Sequence, residues 1–164
     1  MTFKIRDATP SDARAILPIF NQAVLDTTAV WSDQPSDLAG REEWIRTRIS
    51  KELPVLVCEE EGIILGYAAL SDFRPLDGYK YTKENSVFVE ITQHRRGIGR
   101  ALMISLLQRA RQMDAHAVIA AIDSANVASI SLHGAFGFTE VGRLPQVGKK
   151  FGKWMDLVYM QKLL

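Results

Sequence analysis

The chain has 164 residues, of which 47% are hydrophobic and 24% charged, values that exclude a disordered or low-complexity polypeptide and fit one globular domain. Its 20 lysines and arginines nearly balance 19 aspartates and glutamates, so a net charge of +1 provides no overall attraction to nucleic acid or to an anionic membrane. An anionic ligand must therefore be bound by a local basic cluster.

Cysteine and histidine are scarce in the sequence. A single cysteine, Cys58, excludes an internal disulfide, and the histidines His94, His116 and His133 are too scattered to indicate a metal site. No apolar run approaches the ~18 residues that a membrane-spanning helix needs. These features predict a cytoplasmic protein in a reducing compartment, without a metal and without a membrane segment.

In the first half of the chain, helical and strand patterns alternate. Alternating apolar residues predict a strand around 3–5, and apolar residues three or four apart predict an amphipathic helix over 13–24. A second helix is predicted over 38–50. Two β-rich runs, at 54–60 and 63–73, predict an antiparallel hairpin.

The second half continues with the same alternation. In order, the patterns predict a strand at 87–89, a helix over 97–113, a strand at 117–122, a helix over 126–136, and closing strands at 139–141 and 153–161 around a Gly/Pro/Lys loop. The continuous apolar run at 117–122 is typical of a strand that is covered on both faces. This order predicts a mixed sheet with helices on its faces, an α/β or α+β sandwich.

The segment between the strand at 87–89 and the following helix combines glycines with arginines. Gly97 and Gly99 let backbone N–H groups approach an anion, and the helix N-terminus adds partial positive charge. Arg95, Arg96 and Arg100 add full charges. The segment therefore predicts a pyrophosphate site, with a basic helix start that binds nothing as the alternative.

Two other phosphate-binding motifs are excluded by single positions. A dinucleotide fingerprint needs a third glycine where Leu102 stands. The segment from Gly148 to Lys153 is one residue short of a Walker A loop and is followed by Trp154.

The same basic segment resembles motif A of the GCN5-related N-acetyltransferase (GNAT) superfamily, Q/R-x-x-G-x-G/A. It departs from that pattern at the first position, where His94 stands and Gln93 lies one residue early. A second match runs from Asn126 to Phe138 and is similar to the pattern N-x-x-S-x-x-L-Y-x-x-x-G-F. His133 stands there in place of the usual tyrosine, the common candidate for protonating the departing thiolate.

The histidine is shared with one branch of the superfamily, the phosphinothricin and methionine sulfoximine acetyltransferases. The segments 78–89, 5–9 and 151–156 also resemble that branch, so the likeness covers nearly the whole chain. It implies a single N-acetyltransferase domain over 1–164 with the GNAT fold, a mixed sheet of about seven strands flanked by about four helices. It also implies a homodimer.

The resemblance implies acetyl-coenzyme A as co-substrate. Phe88 and Val89, on the strand at 87–89, should offer backbone groups to the pantetheine and, through an N–H, to the oxyanion of the tetrahedral intermediate. Asn126 should hydrogen-bond the pantetheine, cap the helix, or do both. The implied cofactor-binding residues are Val87, Phe88, Val89, Arg95, Arg96, Gly97, Ile98, Gly99, Arg100 and Asn126.

Two side chains are candidates for catalysis. An ammonium group has no lone pair with which to attack a thioester, and Glu84 is the family-matched base, acting directly or through a water. An ordinary glutamate, with a pKa near ~4.3, is a weak base at neutral pH, so partial desolvation or a water relay must help. The alternative is a surface glutamate beside Lys83. His133 either protonates the leaving thiolate, hydrogen-bonds the cofactor, or is structural.

An α-amino acid brings a carboxylate, and the guanidinium of Arg74 suits that group. Trp31 and Trp154 are fit to line a small side-chain pocket or to pack in the core. The substrate-binding candidates are Arg74, Tyr79, Lys80, Tyr81, Trp31 and Trp154, with a solvated loop as the alternative for those at 74–81.

The sequence therefore predicts N-acetylation of a small amino-acid-like substrate, such as L-methionine sulfoximine or phosphinothricin, by direct attack of the amine. Cys58 lies in an apolar predicted strand, where a thiol is inert, and gives no reason to expect an acyl-enzyme. The alternatives are another small amine or a protein N-terminus as acceptor, and a non-catalytic acyl-coenzyme A sensor. A nucleic-acid-binding module is disfavoured because the net charge is near zero.

Overall fold

The computed structural model describes residues 3–164, which form seven strands and four helices. In chain order the elements are β1 (Lys4–Asp7), α1 (Ala13–Asp26), α2 (Leu38–Ser50), β2 (Val55–Glu60), β3 (Ile63–Asp72), β4 (Thr82–Val89), α3 (Ile98–Gln112), β5 (Ala117–Asp123), α4 (Val127–Ala135), β6 (Thr139–Lys150) and β7 (Lys153–Leu163). The mixed sheet with helices on its faces is the architecture that the sequence predicts.

The strands form one sheet in the order β1-β2-β3-β4-β5-β7-β6, and only the β4–β5 pair is parallel. That pair consists of three residue pairs, the last of which joins Glu84 to Ile119. Beyond Glu84, β4 continues to pair with β3, and β5 continues to pair with β7. The sheet therefore opens between β4 and β5, and Glu84 lies at the vertex of this opening.

Two apolar layers cover the sheet, one on each face. On one face α3 buries Leu102 and Leu106 against the strands. On the other face α1 and α2 bury Ile16 and Ile45 near Tyr67 of β3. Each such side chain contributes about 1.5–3 kcal/mol of burial free energy, which holds the helices against the sheet.

Cys58 lies in β2 and is fully buried in the layer beneath α3. Desolvation raises the pKa of its thiol to about 11, with the nearby charge of Glu60 adding to the shift. A thiol with so high a pKa is almost entirely protonated at neutral pH and is a poor nucleophile. This agrees with the expectation that Cys58 is inert.

The predicted helices are confirmed to within two residues at each end. Two strands differ from the prediction. β4 begins at Thr82, five residues before the predicted start at 87. The predicted Gly/Pro/Lys loop is wrong, because residues 142–150 belong to the long strand β6.

The composition of β6 explains this difference. β6 is an edge strand, and its register against β7 shifts between Leu144 and Gly148, a stretch that contains Pro145. Proline cannot donate to a ladder and is therefore tolerated at bulges of edge strands. The connection to β7 is short because Phe151 and Gly152 both have positive φ, 49° and 75°. Such a turn joins two antiparallel strands directly.

Among the helices of residues 3–164, none combines the length and the apolar character that crossing a bilayer requires.

Candidate active site

A cavity of about 670 Å³ is formed by residues of β4, of the loop before α3, of α1 with its following loop, and of α4. It therefore brings the basic segment and the open edge of β4 to one site. The residues around it are Ile19, Gln22, Ala23, Thr27, Ala29, Val87, Phe88, Val89, Ile91, Gln93, His94, Arg95, Gly97, Ile98, Gly99, Arg100, Asn126, Ala128, Ser129 and Leu132.

The N-terminus of α3 forms one end of this cavity. Its N-cap residue, Gly97, has a φ of 83°, a left-handed conformation that glycine adopts without strain. Among the described residues, no side chain caps this helix, so its first N–H groups are available to a ligand. Arg95 and Arg100 also border the cavity. Free N–H groups, the helix dipole and two guanidinium groups together suit a pyrophosphate.

Arg96 differs from the other two arginines of the segment. Its guanidinium donates to both carboxylate oxygens of Glu60, at 2.9 and 2.7 Å, and also to Gln93. The residues around the cavity do not include it. The side chain of Arg96 therefore ties the loop to the β2–β3 hairpin.

The main chain of β4 supplies hydrogen-bonding groups at the opening. In an antiparallel ladder, the N–H and C=O of alternate residues point to the same neighbouring strand. Main-chain bonds to the β3 side are made by Thr82, within β4, and by Glu90, just after it. Even-numbered residues of β4 thus bond with β3, and the main-chain groups of Asn85, Val87 and Val89 face the opening.

This alternation corrects the expectation for the main chain of Phe88, which belongs to the ladder with β3, opposite Tyr67. The ring of Phe88 stacks on Tyr67 with 5.1 Å between centroids and meets Phe20 of α1 edge-on at 6.3 Å. Phe88 therefore contributes its side chain to the cavity, on the face of the sheet that α1 and α2 cover.

Glu84 is half-buried at the vertex of the opening, and by alternation it shares the sheet face of Phe88. Burial raises the pKa of its carboxyl above the ordinary value, and the nearby charge of Arg74 opposes part of that shift. Lys83 projects to the other face, where it pairs with Asp72 at 2.7 Å. Glu84 is therefore a partly desolvated carboxylate, a stronger base at neutral pH than an exposed glutamate.

Arg74 lies in the exposed loop after β3, with its guanidinium carbon 4.5 Å from the centre of the Phe73 ring. Among residues 3–164 it forms no ion pair, although it is close enough to Glu84 to influence the carboxyl electrostatically. A guanidinium in this position can bind the carboxylate of an amino acid whose amine approaches Glu84.

The other acceptor-site candidates lie in two places. Tyr79, Lys80 and Tyr81 are exposed in the loop that contains Arg74, and the Tyr79 ring lies 5.7 Å from that of Phe73. Trp154 is 61% exposed on β7, and Trp31 packs over β6. These five residues do not border the cavity described above, and neither do Arg74, Glu84 or His133.

His133 is buried in α4, with both ring nitrogens hydrogen-bonded. Nδ1 lies 2.8 Å from the carbonyl oxygen of Ser129, and Nε2 lies 2.9 Å from Nδ2 of Asn85. A carbonyl oxygen only accepts, so Nδ1 carries the proton and Nε2 accepts from the amide of Asn85. Desolvation lowers the pKa of His133. The residue is therefore a neutral imidazole with no N–H directed at the cavity.

Asn126 is the N-cap of α4, and its side chain accepts a hydrogen bond from the N–H of Ser129 at 3.0 Å. It also borders the cavity, so both expected uses of this residue remain open to it. Asn85, the partner of His133, lies in the segment 78–89 that resembles the branch, but nothing in the sequence shows that its amide contacts α4. Within residues 3–164 no three His, Cys, Asp or Glu side chains are grouped to hold a metal ion.

The chain is similar to known proteins in both sequence and fold. Residues 5–159 match the family model described as Acetyltransferase (GNAT) domain. The chain belongs to the GNAT acetyltransferase family. It is 46% identical, over 98% of its length and 94% of the relative's, to the L-methionine sulfoximine/L-methionine sulfone acetyltransferase of Pseudomonas aeruginosa.

Two solved GNAT structures are also similar. The ribosomal-protein-alanine N-acetyltransferase of Brucella melitensis is 45% identical with a TM-score of 0.96, covering 98% of this chain and 99% of that one. The phosphinothricin acetyltransferase of Sinorhizobium meliloti, in complex with acetyl-coenzyme A, is 33% identical with a TM-score of 0.96. That match covers 100% of this chain and 89% of the other. The expected GNAT fold is thereby confirmed.

Replacing Glu84 by glutamine should lower kcat by about 10²–10⁴-fold while leaving the KM for acetyl-coenzyme A unchanged, because the amide cannot accept the proton. In the wild-type enzyme, log kcat should rise with pH through a pKa above the ordinary 4.5, since a raised pKa delays ionisation of the base. The Glu84→Gln variant should lack this rise of log kcat with pH. Glu61→Gln, in the exposed β2–β3 turn, is the control. Equal activity of wild type and Glu84→Gln at every pH would remove Glu84 from the mechanism.

Replacing His133 by phenylalanine tests the expected acid role against the observed hydrogen bonds. Because both ring nitrogens are already bonded, the substitution should lower Tm and reduce kcat less than about 10-fold, with the basic limb of the pH profile unchanged. A loss of about 100-fold or more in kcat, together with loss of that limb and an unchanged Tm, would instead identify His133 as the acid.

Proposed function

We propose that this chain transfers the acetyl group of acetyl-coenzyme A to the α-amino group of a small amino-acid-like acceptor, such as L-methionine sulfoximine or phosphinothricin. The observation that carries the proposal is the position of Glu84, partly desolvated at the vertex of the β4–β5 opening, with Arg74 near enough for its charge to oppose the rise in the pKa of that carboxyl. A base for the amine and a partner for the carboxylate thus lie together. The relatives named for these acceptors support the choice.

Acetyl-coenzyme A would be bound along the cavity. Arg95, Arg100 and the free N–H groups of α3 meet the pyrophosphate, because a dianion is favoured at an uncapped helix N-terminus. The main-chain groups of Val87 and Val89 hydrogen-bond the pantetheine in the way an added strand would. Asn126 adds a side-chain amide.

The reaction then needs one base and one oxyanion donor. Glu84 takes a proton from the acceptor's ammonium, directly or through a water, and Arg74 holds its carboxylate. The neutral amine attacks the thioester carbonyl, and a main-chain N–H of β4 stabilises the oxyanion of the tetrahedral intermediate. Collapse of this intermediate breaks the C–S bond and forms the amide, and the proton that the amine nitrogen still has to lose balances the departing coenzyme A thiolate. The buried, protonated Cys58 supports direct transfer without an acyl-enzyme.

The role of His133 in this scheme is part of the proposal. Protonation of the thiolate by His133 remains a prediction that follows from the family resemblance. Its hydrogen bond to Asn85, which lies next to Glu84 on β4, supports a second role in which it fixes the strand at the vertex. The two roles differ in their effect on the pH profile.

We also propose that the chain acts as a homodimer in the cytoplasm, with its activity in one domain over 1–164, of which 1 and 2 lie outside the described residues. A buried, reduced cysteine supports the compartment. The β6–β7 hairpin supports self-association because it carries exposed apolar side chains, and such clusters favour protein contacts. They are Val141, Leu144, Val147, Phe151 and Trp154.

A protein N-terminus is the second candidate acceptor, because the Brucella melitensis relative named for ribosomal-protein alanine is 45% identical over nearly the whole chain. A peptide that begins with alanine brings an α-amine but no carboxylate next to it. Arg74 would then have no partner on the acceptor, and this favours the free amino acid.

The acceptor is tested by following free thiol release from acetyl-coenzyme A with L-methionine sulfoximine, phosphinothricin, ordinary L-amino acids and an alanine-initiated peptide in parallel. We expect release with the first two, and a raised KM for them in Arg74→Ala. Methionine sulfoximine amide, which lacks the carboxylate, is the control acceptor and should not distinguish Arg74→Ala from wild type. Release with the peptide alone would favour protein N-termini, and acetyl-coenzyme A binding without release would favour a sensor.

A further inference from the structure

The ammonium group of Lys150 is buried against the main chain of a neighbouring element. Lys150 ends β6 and is 2% exposed. Its Nζ donates to the carbonyl oxygen of Val24, at 2.5 Å, and to that of Val30. Val24 lies in the last turns of α1, where carbonyl groups and the helix dipole attract a cation, and Val30 lies in the loop that follows. One side chain of β6 therefore bonds both to the last turn of α1 and to the loop that follows it.

A second contact joins the same strand to the same loop. The ring of Trp31 lies directly over Gly148, so closely that a Cβ on Gly148 would be 2.3 Å from a ring carbon. The indole N–H of Trp31 donates to the carbonyl oxygen of Thr28 at 2.9 Å, which folds the loop back on itself. The alternating residues Gly148 and Lys150 thus form one seat for residues 27–31.

The other side of the loop is tied to the end of β5. The hydroxyl of Thr28 donates to the carboxylate of Asp123, and the same carboxylate accepts from the N–H of Ala125 at 3.1 Å, just before α4. The loop is therefore held between the β6 seat and β5. Its residues Thr27 and Ala29 border the cavity.

The position of this loop matters for the acceptor. Glu84 and Phe88 project to the sheet face that α1 covers, so an amine that approaches Glu84 enters beside α1 and its following loop. The pyrophosphate end of the cavity lies at α3, and neither Lys150 nor Gly148 borders it. A displaced loop would alter the part of the cavity next to α1 before the part next to α3.

We propose that Lys150 is a positioning residue for the acceptor site: its ammonium group, seated with Gly148 beneath the loop 27–31, fixes that loop as the acceptor-side wall of the cavity. The inference rests on the proposed function for its effect on acetyl transfer. A buried ammonium without a carboxylate in hydrogen-bond contact is costly, and this structure offsets the cost through main-chain carbonyls of one loop.

The test uses Lys150→Met, which keeps the length and apolar packing of the side chain but removes its donors. The KM for the acceptor should rise by about 10-fold or more, with the KM for acetyl-coenzyme A within about 2-fold of wild type. Lys153→Met, at an exposed position of the same hairpin, should leave both constants unchanged. A smaller rise in acceptor KM for Lys150→Arg, which retains N–H donors, would confirm the hydrogen-bonding role.

Hydrogen exchange of the same variants separates this inference from the proposed function. In Lys150→Met, amides of residues 27–31 should exchange about 10-fold faster, while those of 98–112 keep the wild-type rate. Gly148→Ala should produce the same exchange pattern by displacing Trp31. This variant replaces Lys150→Met in the test if Lys150→Met does not fold. If the wild-type enzyme acetylates no acceptor but the exchange pattern appears, the proposed function is wrong. The role of Lys150 and Gly148 in holding residues 27–31 is then still supported. Unchanged exchange at 27–31, or an equal rise in both KM values, would overturn the role of Lys150.

Discussion

The separation of β4 from β5 after Glu84 is the constraint on which the site depends. Each strand is paired along its outer side, β4 with β3 and β5 with β7, and the two halves join through only three residue pairs. The separation leaves main-chain N–H and C=O groups of β4 facing a cavity. Groups of this kind cost about 1–3 kcal/mol each when buried without a partner, so the opening favours an extended ligand with amide groups of its own.

Charge is distributed unevenly around this opening. The net charge is only +1, and some of the charged side chains pair with each other, as in Arg96–Glu60 and Lys83–Asp72. Across residues 3–164, no ion pair engages Arg74, Arg95 or Arg100, which lie near the two ends of the site. A nearly neutral protein thus keeps local positive charge where a pyrophosphate and a carboxylate would be bound.

Much of the fold and of the coenzyme end of the site could be predicted from the sequence, because both depend on local patterns. Helical spacing predicted the four helices, and the glycines of the basic segment predicted a helix N-terminus that the structure places beside the cavity. The sequence did not indicate that β6 continues past Pro145, since only the edge position of β6 makes a proline acceptable there. Nor did it distinguish Phe88 from Val87 and Val89, because strand register against β3 decides which main-chain groups face the opening.

Some residue roles could not be predicted from the sequence at all, because they depend on contacts between distant segments of the chain. Lys150 is 126 residues from Val24, and nothing in a run of lysines separates a buried ammonium from exposed ones. His133 matched a family position, yet its hydrogen bonds to Asn85 and Ser129 became visible only in the folded chain. Side-chain roles that depend on a partner elsewhere in the chain require the structure.

The most direct test of the account is a crystal structure of the protein with coenzyme A and L-methionine sulfoximine bound together. We expect the sulfur atom of coenzyme A to lie in the opening between β4 and β5. The amine of the acceptor should lie on the α1 side of the sheet. That amine should lie within about 2.6–3.2 Å of the Glu84 carboxylate, or one water away. A pantetheine outside the opening, or an amine on the face covered by α3, would contradict it.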